Sequence, residues 1–350
     1  MGGTRFAGIG EAVRIGRMEH DDVADAVIAA LSAQNVHATV IPHLRGKTDF
    51  GDVDLVCRRS QSHHNVPGGG EEAVLRLGRR DQAIASALDA IAHDRGPIAN
   101  PTLHLLLKGS KGPVQVDITS IDDHLFDFAL AQLSWGDAGS ISAIVARQMG
   151  LKMGMHGLVL TIDDERGMLQ APLPLSHAEA LTLIGYDPRM HVEGFETNED
   201  VYRWVASGTY FDPRIWQFDR LTNSARHRAW KRPSYQAWVS WMDKQGLDVR
   251  YDWGEIRGAR TQEWRGRLLQ MFPLAAEEIE RQRMQRRSPD ARRTFFSGSV
   301  ISEMTGVKGP DLQHLMNAIR KEIGQDGIER MAHRNDREGL CDIARRLATT

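Results

Sequence analysis

An α/β fold is the expectation for this chain: a mixed sheet backed by helices, followed by a mainly helical C-terminal region. Three observations predict it. Short strand-like segments at 36–43, 52–58, 102–108 and 113–119 are separated by stretches with helical spacing of apolar residues. Aspartates stand at Asp52, Asp54 and Asp117 inside those strand segments. From about residue 175 onward the pattern is mainly helical, punctuated by Pro188, Pro213, Pro233 and Pro273.

The elements follow in order. EHDDVADAVIAALSAQ (19–34) spaces Val23, Ala26, Val27, Ala30 and Leu31 as a helix, and its acidic start suits the positive end of the helix dipole. VHATVIPH (36–43) reads as a strand, and DVDLVCR (52–58) as a second that pairs with it through a tight connection. RSQSHHNVPGGGEE (59–72) has the composition of a loop, which puts His63 and His64 at the surface. Residues 73–94 set Val74, Leu75, Leu77, Ile84, Leu88 and Ile91 on one side of a helix. TLHLLLK (102–108) and PVQVDIT (113–119) form a β-hairpin about the turn Gly109–Gly112. Residues 123–133 and 141–150 continue as helices, and GLVLTID (157–163) as a strand.

A chain of 350 residues suggests two or three domains, and 41% hydrophobic with 26% charged residues is an ordinary globular balance. No apolar run approaches the ~18 residues of a membrane span, so no membrane partner is expected. The opening MGGTRFAGIGEAVRIGRMEHDD lacks an apolar signal core. Two cysteines, Cys57 and Cys341, are too few for a disulfide framework or a cysteine zinc site, and a cytoplasmic location is expected. Cys57 reads as a core residue. The net charge of −2 hides an asymmetry: residues 201–300 hold 19 Lys+Arg against 11 Asp+Glu, a net of +8, which leaves −10 for the rest. An acidic part and a basic part suit a metal-dependent enzyme that acts on a polyanion.

Strand alternation puts Asp52 and Asp54 on one face, with Val53 and Leu55 on the other. Asp117 is a lone acid between Val116 and Ile118, costly to bury without a partner or a cation. Three acids on neighbouring strands make a hard oxygen site for Mg²⁺, with Mn²⁺ as the alternative ion. In a site for two ions, one ion activates the attacking oxygen and the other steadies the leaving group. Just before the acids, Arg45-Gly46-Lys47-Thr48-Asp49-Phe50-Gly51 is a basic loop bounded by Gly46 and Gly51. Its glycines let backbone amides approach an anion, and Arg45 and Lys47 carry charge for a triphosphate. It has neither the Gly-Lys-Ser/Thr ending nor the following helix of a P-loop.

The string LRGKTDFGDVDLV resembles the signature of the DNA polymerase beta superfamily, most of all its family X branch. There the pattern is Gly-Ser-x-Arg-Arg-Gly-Lys, a spacer, then Gly-Asp-hydrophobic-Asp, with the third acid in a Gln-Val-Asp-hydrophobic strand like VQVDI (114–118). VRIGRMEHDDVADAV (13–27) is similar to the family's entry helix, and ARQMGLKMGMHGLVL (146–160) to its Ala-x-x-x-Gly-hydrophobic-Lys-x-x-x-x-Gly-Leu segment. Ile41-Pro42 replaces the family's Gly-Ser and Leu44 its first arginine, which implies either compensation by His43 or Lys47 or a low affinity for the triphosphate. The family's nucleotide-contacting turn lines up loosely with Leu133-Ser134-Trp135-Gly136-Asp137. ISEMTGVKGPDLQHLMNAIRKEI (301–323) is similar to a late helix start in CCA-adding enzymes and bacterial poly(A) polymerases; it is also a plain proline-opened helix.

The resemblance implies a nucleotidyltransferase palm over residues 1–165, a thumb-like or connecting segment over 166–205, and a helical, basic, nucleic-acid-binding region over 206–350. It implies two-metal transfer of a nucleotidyl group from an NTP or dNTP, with Asp52 and Asp54 holding both ions, Asp117 acting near the acceptor hydroxyl, and Arg45 touching the triphosphate. The acceptor is expected to be a polynucleotide 3′ end, RNA or tRNA on the C-terminal likeness and DNA on the catalytic one. Seven of the eight tryptophans fall between 204 and 264, interleaved with basic residues. Trp204, Trp216, Trp238 and Trp241 are expected in a helical core, while Arg226, Arg228, Lys231 and Arg232, with the arginines of 281–293, are candidates to grip phosphates. Two rivals stand beside this reading. One is nucleotidylation of a protein or small molecule; the other is a nucleic-acid-binding protein without chemistry.

Overall fold

The computed structural model describes residues 5–6, 8–59, 71–96, 102–164, 167–221, 223–255, 258–334 and 336–348. Residues 60–70, with most of the loop expected at 59–72 and the His63-His64 pair, lie outside the described residues. The chain divides into two units, residues 1–160 with 172–268, and residues 161–171 with 269–350.

The first unit begins with a short strand β1 (Ile15–Gly16) that leads into α1 (Arg17–Ala33). This helix buries His20, Ala24, Val27 and Leu31, a stripe rotated from the expected one, so that Ala26 is exposed. Strand β2 (Ala38–Val40), then β3 (Asp49–Phe50), then β4 (Val53–Arg59) follow; β2 pairs antiparallel with β4 as expected, but the connection is not tight, since it holds β3, which pairs with β1.

Helix α2 (Glu71–Ala87) stops before the expected end at 94. Asp89 takes a left-handed φ of 48°, and the next residues form β5 (Ala92–Arg95) along the edge of the sheet. Leu88 packs on the core, but Ile91 is 44% exposed, so the apparent helical stripe ends one turn early. The sequence AHDR has no apolar alternation; pairing with its neighbour, not local pattern, makes it a strand. That neighbour, β6 (Thr102–Lys108), forms the expected hairpin with β7 (Pro113–Asp122).

The resulting sheet has the order β2-β4-β7-β6-β5, with β4 and β7 parallel and the other pairs antiparallel, which makes it mixed. One face, with Val53, Leu55, Leu105 and Val116, packs with Val27 and Leu31 of α1 and Ile84 of α2. On the other face Val56 and Ile121 are covered by Phe126 and Ala129 of α3 (Phe126–Leu133). Alternation places Asp54 and Asp117 on this second face, upstream of the part that α3 covers. One end of the face is thereby left for the acids.

Helix α4 (Ala138–Gln148) is largely buried, and β8 (Leu151–Gly154) forms a hairpin with the start of β9 (Gly157–Asp164). β10 (Gly167–Leu173) precedes the helices α5 (His177–Leu183), α6 (Pro188–Glu193), α7 (Asn198–Ala206), α8 (Asn223–Trp230), α9 (Pro233–Gln245) and α10 (Ala259–Met271). The expected proline breaks are helix starts: Pro188 and Pro233 open α6 and α9, and Pro213 opens a 3-10 turn, where a missing N–H costs nothing. Trp204, Trp216 and Trp238 are fully buried. Trp216 Nε1 donates to the carbonyl of Ile141 at 3.0 Å, which ties this aromatic core to α4. The core assignment of these tryptophans therefore holds, with Trp241 stacked on Trp238 at 5.7 Å.

The second unit holds α11 (Pro273–Phe295), α12 (Gly298–Thr305), α13 (Pro310–Arg334) and α14 (Arg337–Ala348), with the end of β9 and most of β10. Its core gathers Phe295, Phe296, Ile301, Leu315, Ile319, Ile328 and Leu340. α13 starts at Pro310, as the plain helix-start reading has it, and kinks at Gly324. No helix among the described residues is long and apolar enough to cross a membrane.

Candidate active site

Parallel pairing of β4 with β7 sets Asp54 directly beside Asp117. Asp52 lies just before β4, and the three side chains offer ligand atoms all within 4.8 Å of one another. Burial raises the pKa of Asp54 to about 7, and the charges of Asp52 and Asp117 add to the effect. Burial, then Asp117, raises Asp52 as well. Asp54 is nonetheless exposed. Carboxylates this close cannot all ionise cheaply without a counter-charge, and the all-oxygen donor set suits a hard divalent cation such as Mg²⁺.

Asp117 is held by two donors. His104 Nδ1 and Gln115 Nε2 each lie 2.9 Å from its Oδ1. The sequence reading missed His104, although a signal was there: the tight hairpin turn sets Lys108 opposite Pro113, and counting back along both strands brings His104 opposite Asp117. Neither Asp52 nor Asp54 has a hydrogen-bond donor on its carboxylate among the described residues.

The basic loop departs from expectation in one respect. Three of its amides are turned to carbonyls: Arg45 N–H donates to Phe195 O at 3.0 Å, Gly46 N–H to Glu196 O at 2.9 Å and Lys47 N–H to Leu44 O at 3.0 Å. Glycine at 46 serves close packing, since a Cβ there would come within 2.9 Å of the Glu196 carbonyl oxygen. The Arg45 guanidinium lies 3.4 Å from the Glu196 carboxylate and donates to the carbonyls of Glu193 and Gly194. Gly51 sits in the bend between β3 and β4. Lys47 is exposed, with its ammonium 4.6 Å from the Phe50 ring centroid, and its charge lowers the pKa of both Asp52 and Asp54. Lys47 is therefore a better candidate than Arg45 for a phosphate beside the acids.

Arg14 and Arg17 also border this loop. Arg14 pairs with Asp49 at 2.5 Å, and Arg17 donates to the carbonyls of Arg45 and Lys47. Burial lowers the pKa of His43, expected as a compensator, and its Nδ1 lies 3.1 Å from the Leu44 carbonyl. With His20 and Asp21 it forms a second ligand grouping, but the charges of Arg17 and Lys47 beside it oppose a cation there. Trp135, in the turn after α3, has a left-handed φ of 65° and donates its N–H to Pro42 O at 2.7 Å. Its ring covers Gly194, where a Cβ would come within 2.4 Å of the indole.

Two of the four basic residues expected to grip nucleic acid, Arg226 and Arg232, have internal partners. Arg226 spends its guanidinium on the carbonyls of Phe218, Asp219 and Leu221. Arg232 pairs with Asp137 at 3.3 Å and with Ser140. Lys231 is exposed, and the Arg228 side chain lies outside the described residues. Trp230 beside Lys231 is 60% exposed and stacks on Phe218 at 4.8 Å. In α11, Arg281 and Arg283 pair with Glu278 and Glu280 one turn away, an ordinary solvated helix face. The side chains of 286–293 lie outside the described residues.

No protein-family model and no curated protein matches this sequence. Among solved structures, the polymerase beta of Leishmania infantum in its ternary P/T complex aligns with 14% identity and a TM-score of 0.38, over 51% of this chain and 75% of that one.

Proposed function

We propose that this chain is a metal-dependent nucleotidyltransferase, in which an acceptor hydroxyl attacks the α-phosphate of an NTP or dNTP and pyrophosphate leaves. The observation that carries the proposal is the convergence of Asp52, Asp54 and Asp117 within 4.8 Å on adjoining strands, with Lys47 close enough to shift two of them. Two divalent cations at this site, Mg²⁺ or Mn²⁺, would lower the pKa of the attacking hydroxyl and neutralise the charge that develops on the leaving group. Among the described residues no hydrogen-bond donor engages Asp52 or Asp54, which leaves both carboxylates to ligate. Asp117 keeps Oδ2 for the same task, and Lys47 offers its charge to the triphosphate. Catalysis of this kind is positioning and electrostatic stabilisation rather than covalent chemistry.

The preferred acceptor is a polynucleotide 3′ end, with residues 1–165 as the catalytic part and the exposed Trp230–Lys231 surface as a candidate contact for the strand. A protein or small-molecule acceptor is the second reading, favoured by the internal engagement of Arg226 and Arg232. The two are separated by supplying each labelled NTP and dNTP with Mg²⁺ or Mn²⁺ to tRNA lacking its 3′ end, to single-stranded DNA and to a primed DNA template. Extension that disappears in Asp54→Ala supports the polynucleotide reading. No extension by folded, metal-bound protein would sink it and leave the second.

A further inference from the structure

We infer that His104, acting with Gln115, is a positioning residue that fixes Asp117 as a one-oxygen metal ligand; this rests on the metal reading of the carboxylate trio. Asp54, Asp117, His104 and Asp94 are successive register partners on β4, β7, β6 and β5. Register partners share a face, so the four form one row across the sheet, from the metal site to its edge.

The donors in this row can be assigned. Gln115 Oε1 accepts the backbone N–H of Arg5 at 3.1 Å, so the amide nitrogen must be the atom that faces Asp117. An ionised carboxylate only accepts, so the proton between His104 and Asp117 sits on Nδ1. Both donors meet the same oxygen, Oδ1, at 2.9 Å. Two hydrogen bonds occupy the lone pairs of that oxygen, which leaves Oδ2 as the only one able to ligate a cation. Asp117 is thereby held to one-oxygen coordination in one direction. Asp52 and Asp54, without such donors among the described residues, remain able to span two ions. The far end of the row is closed by Arg5, whose Nε donates to Asp94 at 2.8 Å. The partial burial of both side chains, 16% exposed for His104 and 20% for Asp117, protects the bond from competition by water.

The test uses Mn²⁺ as the probe, with free Mn²⁺ measured by electron paramagnetic resonance, beside steady-state transfer kinetics. Two variants are compared, each first checked for a native thermal unfolding transition. His104→Leu removes the donor. His104→Asn restores it, since the asparagine amide nitrogen lies near the place of Nδ1. Loss of an outer partner of a metal ligand typically costs about 10–100-fold in metal affinity or activity. The expected result is a loss of that size in Mn²⁺ affinity for His104→Leu, with kcat falling and the nucleotide KM moving by less than about threefold. His104→Asn is expected to recover most of it. Wild-type Mn²⁺ affinity in His104→Leu, or an asparagine variant no better than the leucine one, would overturn the inference. The Mn²⁺ readout decides the matter by itself; absence of transfer by the wild-type protein would count against the proposed reaction alone.

Discussion

Acid should loosen the first unit through two buried histidines. His177 of α5 and His191 of α6 are 7% and 3% exposed, with ring centroids 4.7 Å apart. Phe128, Phe195 and Trp204 pack against them. His177 Nε2 lies 3.2 Å from Gln132 Oε1, while His191 Nε2 is buried with no partner among the described residues. Burial holds His177 down at about 3, with the neighbouring His191 adding to the effect, and burial holds His191 at about 4. Both folded values lie below the unfolded value of 6.5, so the unfolded chain takes up protons first as pH falls. Their contribution to stability is complete above about pH 6.5 and is lost progressively between there and about pH 3–4. At about pH 5 the loss is roughly 2 kcal/mol for each ring, or ~4 kcal/mol together, a large share of a typical total of about 5–15 kcal/mol. Urea unfolding followed by tryptophan fluorescence at about pH 7.5 and about pH 5 measures it, comparing the wild type with His191→Phe. Repacking shifts the absolute stability of the variant at both pH values alike, and the difference between them isolates the titration. The variant should lose roughly 2 kcal/mol less than the wild type on acidification. Equal losses in the two proteins would refute the reasoning.

Asp54 gives the opposite sign. Its folded pKa, about 7, lies above the unfolded value of 3.8, so the metal-free protein loses stability from this group as pH rises through that window. Mg²⁺ should reverse the loss, and Mg²⁺ affinity should climb with pH up to about 7 and level off above it; calorimetric titration across pH with Asp54→Asn, in which the dependence is flattened, checks this. Arg226→Met should cost about 1–3 kcal/mol of stability, because it leaves three carbonyls without their charged donor, yet leave the salt dependence of nucleic-acid binding unchanged. Lys231→Ala should do the reverse, lowering the slope of log affinity against log salt by about 1 without affecting unfolding.

The acid trio was legible because two of its members obey strand alternation and the third interrupts an apolar strand. The helices opened by prolines and the tryptophan core were legible for similarly local reasons. Strand β5 was not, because AHDR becomes a strand only when β6 lies beside it. The use made of the Arg45 and Gly46 amides was equally hidden: their acceptors, Phe195 and Glu196, lie about 150 residues downstream, and nothing in the loop itself distinguishes an amide facing a phosphate from one facing a carbonyl. His104 was within reach, since a tight hairpin sets its own register. His177 and His191 were not, because each is a single histidine on its own helix and their meeting is a product of tertiary packing.

The most direct test of the central claim is the identity of the product released from the triphosphate. The protein is incubated with Mg²⁺, the NTP and dNTP mixture and the pooled acceptors, and pyrophosphate and inorganic phosphate are quantified separately for the wild type, Asp52→Asn, Asp54→Asn and Asp117→Asn. Pyrophosphate is expected in step with nucleotide incorporated, and is expected to be lost in each of the three variants while they remain folded. Release of inorganic phosphate in place of pyrophosphate, or pyrophosphate release that survives Asp54→Asn, would contradict it.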